Sequence, residues 1–289
     1  MSATLRGVAL YLGALLLFTG MDAVTKAAVA EVPVLQVLWA RFTFHLVAVS
    51  AVTLLTTGRI PWRSGAPKLQ AVRSLTLVGA NLSFTAALVT VPLMEATAIN
   101  FVSPLIVVVI AAVWLKEAVG WRRYVGVVIG FLGVLVVLRP GMGAVPPAGF
   151  LALITALLFA FYQIMTRRLA GVDTPQTTIL HTGIAGAAVT ALLQPFIWAP
   201  LRPEMWGLLV AIGAMGGAGH YLLVLAFERA PASLLAPFAY TQMLWATLFG
   251  MVVFGELPDA ATIAGGVVIA AGGLTVIWSE AAAKRPPPG

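Results

Sequence analysis

The chain has 289 residues, of which 61% are hydrophobic and only 9% charged, with a mean hydropathy of +1.00 and a net charge of +7. Soluble domains carry about 25% charged residues, so a water-soluble globule is excluded, and the long apolar runs exclude a barrel of alternating ~10-residue strands. The absence of cysteine excludes disulfides and thiolate metal sites, and the basic residues sit in short segments between apolar runs, a pattern of membrane topology rather than of nucleic-acid binding.

A helix needs about 20 mostly apolar residues to cross a hydrocarbon core of ~30 Å. Read with that ruler, the chain offers ten candidate spans: residues 5–25, 34–57, 72–91, 96–115, 124–138, 148–165, 177–199, 205–227, 232–254 and 262–278. The first begins beside Arg6 and ends near Ala28-Val29-Ala30, which imitates a signal peptide. Its apolar run is long for that role and Lys26 falls just before the supposed cleavage site, so it reads as a retained span. Asp22 and Lys26, one helical turn apart near its outer end, are expected to pair locally. Arg41 lies within the second span. The third carries Asn81, Ser83 and Thr85; the fourth Asn100 and Ser103, with Pro104 inside it. The fifth and tenth contain no charge and are rich in Gly and Val. Gln163 lies in the sixth, His181 in the seventh, His220 in the eighth, and Pro237, Thr241 and Gln242 in the ninth. The connections are short, and the proline-rich tail 281–289 is expected to be disordered.

With the N-terminus in the cytoplasm, thirteen Lys and Arg fall in inside segments: Arg6; Arg59, Arg63, Lys68 and Arg73; Lys116, Arg122 and Arg123; Arg167 and Arg168; Arg229; Lys284 and Arg285. Three fall outside: Lys26, Arg139 and Arg202. Because one missed span inverts every later loop, this asymmetry predicts ten spans with both termini cytoplasmic. The two halves also repeat. An offset of 139 pairs Pro92 with Pro231, Glu117 with Glu256, Gly126 with Gly265 and Gly133 with Gly272, and an offset of 142 pairs Lys26 with Arg168 and Pro33 with Pro175. A five-span copy is odd-numbered, so the second must be inserted inverted, and the loop charges Lys116, Arg122 and Arg123 become uncharged residues in the second copy. The sequence therefore predicts an all-α membrane protein, with ten transmembrane helices as two inverted five-helix repeats (1–143 and 144–280) around a central cavity.

Pro92 and Pro104 about the fourth span, Lys116-Glu117, Gly126, Gly130 and Gly133 after it, and Pro231, Glu256, Gly265 and Gly272 in the second copy resemble the drug/metabolite transporter superfamily, in its EamA-like ten-helix branch. Arg41 early in the second span fits the same pattern. The resemblance spans nearly the whole chain and is closest to bacterial exporters of aromatic amino acids. It implies a cavity lined by spans one to four and six to nine, with spans five and ten as peripheral support.

Polar residues deep in a span are costly and face protein or water rather than lipid. Candidates for contacting a solute are Asn81, Asn100, Ser103, Gln163, His181, His220, Thr241 and Gln242, with the aromatics Trp39, Phe101, Tyr162 and Tyr240 as walls. Asn81 pairs with His220, and Phe101 with Tyr240, at the repeat offset of 139. Packing is the competing role for each of them. No Asp or Glu falls mid-span, which favours a neutral or zwitterionic solute over a cation. There is no H-E-x-x-H, G-x-S-x-G or phosphate-binding loop, so neither an enzyme nor direct ATP drive is expected, and no cofactor or metal is implied. A channel would need a continuous polar ring. The GxxxG pairs Gly126/Gly130 and Gly213/Gly217 can be satisfied inside one chain. The expectation is a monomeric secondary transporter in a bacterial inner membrane, exporting amphipathic solutes such as aromatic or other hydrophobic amino acids by alternating access; a metabolite or drug exporter of the same fold is the alternative. Its partners are that small solute and the lipid bilayer, not nucleic acid.

Overall fold

The computed structural model describes residues 3–87, 99–100, 102–117, 119–138 and 149–254, with 260, 263–268, 271–272 and 275. The described residues are almost wholly helical, because a chain with no water around it satisfies its backbone groups most simply within each helix. In chain order the elements are α1 (Ala3–Val29), α2 (Val34–Thr57), α3 (Pro67–Ala87), α4 (Ser103–Val113), α5 (Trp121–Leu138), α6 (Gly149–Leu169), α7 (Pro175–Ala191), the short α8 (Gln194–Ile197), α9 (Pro203–Arg229), α10 (Ala232–Leu235), a 3₁₀ stretch (Ala236–Thr241) and α11 (Gln242–Phe254). Five stretches are long and apolar enough to cross a membrane: Ala3–Val29, Val34–Thr57, Phe150–Leu169, Pro203–Arg229 and Ala232–Val253.

The core is built on long helix pairs. α1 runs along α9, and α3 along α6. α2 packs on both α7 and α9, and α4 on α6. Close approach depends on glycine in two places. A Cβ on Gly213 of α9 would lie 2.3 Å from the Phe44 Cβ and 2.9 Å from the His45 backbone nitrogen of α2, and one on Gly130 of α5 would lie 2.2 Å from the Tyr240 ring. Both GxxxG pairs are thus engaged within the chain: Gly217 faces His45 and Val49, while Gly126 and Gly130 meet Gly272.

Two predicted features change. The expected seventh span divides, because α7 stops at Ala191 and Gln194 turns its amide back to the carbonyls of Thr190 and Leu35. The two mid-span prolines sit at breaks rather than at kinks: Pro104 is in the first turn of α4, and Pro237 lies in the 3₁₀ stretch between α10 and α11. A proline lacks the N–H that would continue an α-helix through that point.

Polar joints fasten both ends of the bundle. At one end Glu31 pairs with Arg202, and the Gln36 amide donates to the Ala199 carbonyl (2.9 Å) and accepts from its N–H (3.1 Å). At the other end Lys116 adopts a left-handed φ of 52° and turns the chain so that Glu117 reaches across to α10. Its carboxylate accepts from the Ala232 N–H (3.2 Å), the Ser233 N–H (3.1 Å) and the Ser233 hydroxyl (2.7 Å), a favourable place for an anion at a helix N-terminus. Arg167 of α6 pairs with the same carboxylate at 3.4 Å.

At this end, too, Asp173, in the turn between α6 and α7, accepts from Ser64, from the Gly65 N–H (2.7 Å) and from Gln70 (2.8 Å). Burial pushes the Asp173 carboxyl up, but these three hydrogen bonds, with His181 nearby, outweigh it and hold the group below its ordinary range.

Candidate functional site

A cavity lies between α1, α3, α6 and α9. On α1 the residues Phe18, Met21 and Asp22 share one face, as spacings of three and four dictate. α2 contributes Arg41; α3 contributes Leu77, Asn81 and Phe84. Asn100 precedes α4, Thr155 and Phe159 come from α6, His220 from α9 and Gln242 from the start of α11. The cavity volume is about 70 Å³, below the ~300–1,000 Å³ of pockets that enclose drug-sized ligands. In this conformation the space is too small for a drug-sized solute.

Behind the cavity lies a polar cluster centred on Arg73, which is fully buried on α3. Its Nε donates to the Thr166 hydroxyl (2.7 Å). One terminal nitrogen donates to the Thr182 hydroxyl (2.9 Å) and the Thr178 carbonyl (3.2 Å), and the other to the Tyr162 hydroxyl (3.0 Å). The guanidinium also stacks over the Tyr162 ring, 4.6 Å from its centroid. Because Arg73 only donates, the phenol oxygen accepts from it and turns its own proton to His220 Nδ1 at 2.9 Å. That leaves His220 with its proton on Nε2, a buried atom with no hydrogen-bond partner among the described residues. His45 meets the His220 ring edge-on at 5.9 Å and donates from Nε2 to the Ile179 carbonyl.

Of the residues singled out from the sequence, Asn81, Asn100, His220 and Gln242 line the cavity together. Tyr162 stands one layer behind, holding His220. Gln163 accepts from Tyr11 at 3.1 Å, away from the lining. His181 bonds the Thr177 carbonyl on its own helix, and no residue of α7 is among those lining this cavity. Trp39 packs edge-on against Trp198 at 5.5 Å. Ser103 is buried in the first turn of α4, Tyr240 is buried against Gly130, and Thr241 donates to the Phe238 carbonyl. Phe101 lies outside the described residues.

Two charged residues, Asp22 and Arg73, correct the sequence reading. Asp22 does not run along the helix surface to Lys26; it faces the cavity and interacts electrostatically with Arg41. A carboxylate therefore does reach the cavity. Arg41 is 9% exposed and faces the same space. Arg73, counted with the cytoplasmic loop charges, is buried two turns inside α3 because residues of α6 and α7 receive its hydrogen bonds.

The EamA-like transporter family model matches the chain twice, over residues 5–139 and 147–278. An S-adenosylmethionine uptake transporter of Rickettsia felis is 26% identical over 280 residues, covering 96% of this chain and 94% of that protein. A pseudopaline exporter of Pseudomonas aeruginosa is 26% identical over 268 residues, covering 91% of this chain and 93% of the exporter. A solved crystal structure aligns with a TM-score of 0.81 at 23% identity, over 98% of this chain and 99% of that one, which establishes a shared fold. With both halves matched and the helical fold in common, the chain belongs to the EamA-like transporter family and is an integral membrane transporter.

Proposed function

We propose that the protein is a secondary carrier that exports an amphipathic small solute, an amino acid with an aromatic or other apolar side chain, by alternating access across a bacterial inner membrane. The cavity carries this reading. Asn81, Asn100, His220 and Gln242 face it beside Phe18, Phe84 and Phe159, and the two matched stretches of the chain both contribute. A few placed polar groups among aromatic walls suit a ligand with a polar head and an apolar body.

The architecture behind this reading is ten spans in two inverted copies, residues 1–143 and 144–280, with both termini cytoplasmic and one chain as the working unit. The helix contacts support it. Swapping the copies exchanges the α1–α9 contact with α6–α3, exchanges α4–α6 with α11–α1, and leaves α2–α7 in place. Rocking one copy against the other opens a site between them to each side in turn, and a broken helix such as α10–α11 is a usual place for the site. Because the relatives include both an uptake transporter and an exporter, the direction of net flow is measured rather than inherited.

The test is counterflow. Purified protein in liposomes takes up radiolabelled phenylalanine or tryptophan, with and without unlabelled substrate inside. Saturable uptake, accelerated by preloading and lost in the double variant His220→Ala, Gln242→Ala, is the expected result. Folded protein giving no uptake above empty liposomes would remove the amino-acid assignment and leave the family membership intact.

A further inference from the structure

We propose that Asp22 and Arg41 form the head-group subsite of the carrier and hold a zwitterion between them, Asp22 taking the cationic nitrogen and Arg41 the carboxylate. This rests on the carrier reading above and names the chemistry its cavity selects. Both side chains line the cavity. Among the described residues neither makes a hydrogen bond, and the two are not within the 4.0 Å of an ion pair, although each feels the other's charge. A guanidinium has five N–H donors and a carboxylate about four lone-pair sites. Leaving a buried guanidinium unfilled is costly; Arg41 is more than nine-tenths buried, and Asp22 beside it is half-buried. Arg73, one helix away, shows how this protein fills a guanidinium when it serves packing: four of the five donors have protein acceptors.

Two further buried atoms in the same cavity have no partner among the described residues, and each has the polarity the model requires. His220 Nε2 carries a proton and adds a donor for a carboxylate, while Asn100 Oδ1 adds an acceptor for an ammonium. Phe84, Phe159 and Leu77 then receive the apolar side chain. The charge balance sets the selectivity. One positive and one negative wall group are both neutralised by a zwitterion; a simple cation leaves Arg41 unmatched, and a simple anion leaves Asp22 unmatched. Lipophilic monocations are therefore poor substrates even though a carboxylate faces the cavity.

The experiment uses three probes of one shape: L-phenylalanine, 3-phenylpropanoate without the ammonium, and phenethylamine without the carboxylate. Each is added as a competitor of phenylalanine counterflow, and each is also tested for raising the melting temperature of the purified protein. Wild type is expected to prefer phenylalanine over either analogue by at least ~10-fold, the worth of one charged hydrogen bond. Asp22→Asn loses the preference over 3-phenylpropanoate only, and Arg41→Gln loses the preference over phenethylamine only; Asp22→Glu restores part of the first. Equal action of the three probes on wild type, or both preferences persisting in the variants, overturns the proposal. Absence of counterflow by wild type is the failure of the carrier reading and is separable, because the melting shifts still report head-group selection. No selective shift by phenylalanine there overturns the subsite as well. A variant that melts far below wild type is replaced by Asp22→Ser or Arg41→Asn, which carry the same expectation.

Discussion

Arg41 and Arg73 are both buried guanidiniums on neighbouring helices, yet their surroundings differ. Around Arg73 the threonine hydroxyls of Thr166 and Thr182, the Thr178 carbonyl and the Tyr162 phenol form a fitted cage. Around Arg41 there is a cavity and a carboxylate held out of contact. A charge at membrane depth persists only where something offsets its lost hydration. For Arg73 the protein itself supplies the offset; for Arg41 the acceptors are left to a ligand. The burial of a charge therefore does not distinguish a structural residue from a binding one. The count of filled donors does.

The largest effect that would sharpen this contrast is on stability. Arg73→Met is expected to cost about 2–4 kcal/mol, since several buried acceptors lose their donor at once, and to appear as a marked fall in melting temperature in detergent. Arg41→Met is expected to melt at or above wild type while losing counterflow. Equal melting of the two variants would break the comparison.

A middle-sized effect is expected at the bridge between the regions. Tyr162→Phe removes one of the four acceptors of Arg73, leaves His220 Nδ1 without its partner and should cost about 1–2 kcal/mol. It should also raise the KM for solute several-fold, because the His220 ring is no longer fixed with its proton toward the cavity. A melting change with KM unmoved would place His220 outside the binding surface.

The smallest effect lies at the joint near Asp173. Its carboxyl sits below the ordinary range of ~3.9. The stability it contributes is therefore complete above that value and is lost as pH falls through the lower native one. Asp173→Asn should narrow the gap between melting temperatures at neutral and strongly acidic pH. An unchanged gap would show that other carboxylates govern acid unfolding.

The five long apolar helices among the described residues were legible from hydropathy alone, and Asn81, Asn100, His220 and Gln242, singled out as polar residues within apolar runs, lie along the cavity. A polar side chain in an apolar run has few places to go. Asp22 and Arg73 were misread because both lie near the ends of their apolar runs, where a local ion pair or a loop charge is the ordinary outcome. Their partners lie on other helices and leave no mark nearby in the chain. One trace of Arg73 was available: Gln70, Arg73, Ser74 and Leu77 are all buried at helical spacing, a mixed polar stripe on one face of α3. The division of the seventh span was not legible, because the turn of Gln194 depends on the Leu35 carbonyl of a distant helix.

The cage around Arg73 also has a consequence for how the protein is made. Its four acceptors lie 89 to 109 residues downstream, which a ribosome reaches about 5–20 s later at ~5–20 residues per second. During that interval α3 stands in the bilayer with its guanidinium unmatched. The side chain must reach for the headgroup region, as long basic side chains near helix ends do, which holds the helix shallow. The arrival of α6 and α7 lets it rotate and settle inward. The first half alone therefore leaves the Arg73 guanidinium without these four acceptors until the second half is supplied, on the same polypeptide or as a separate fragment.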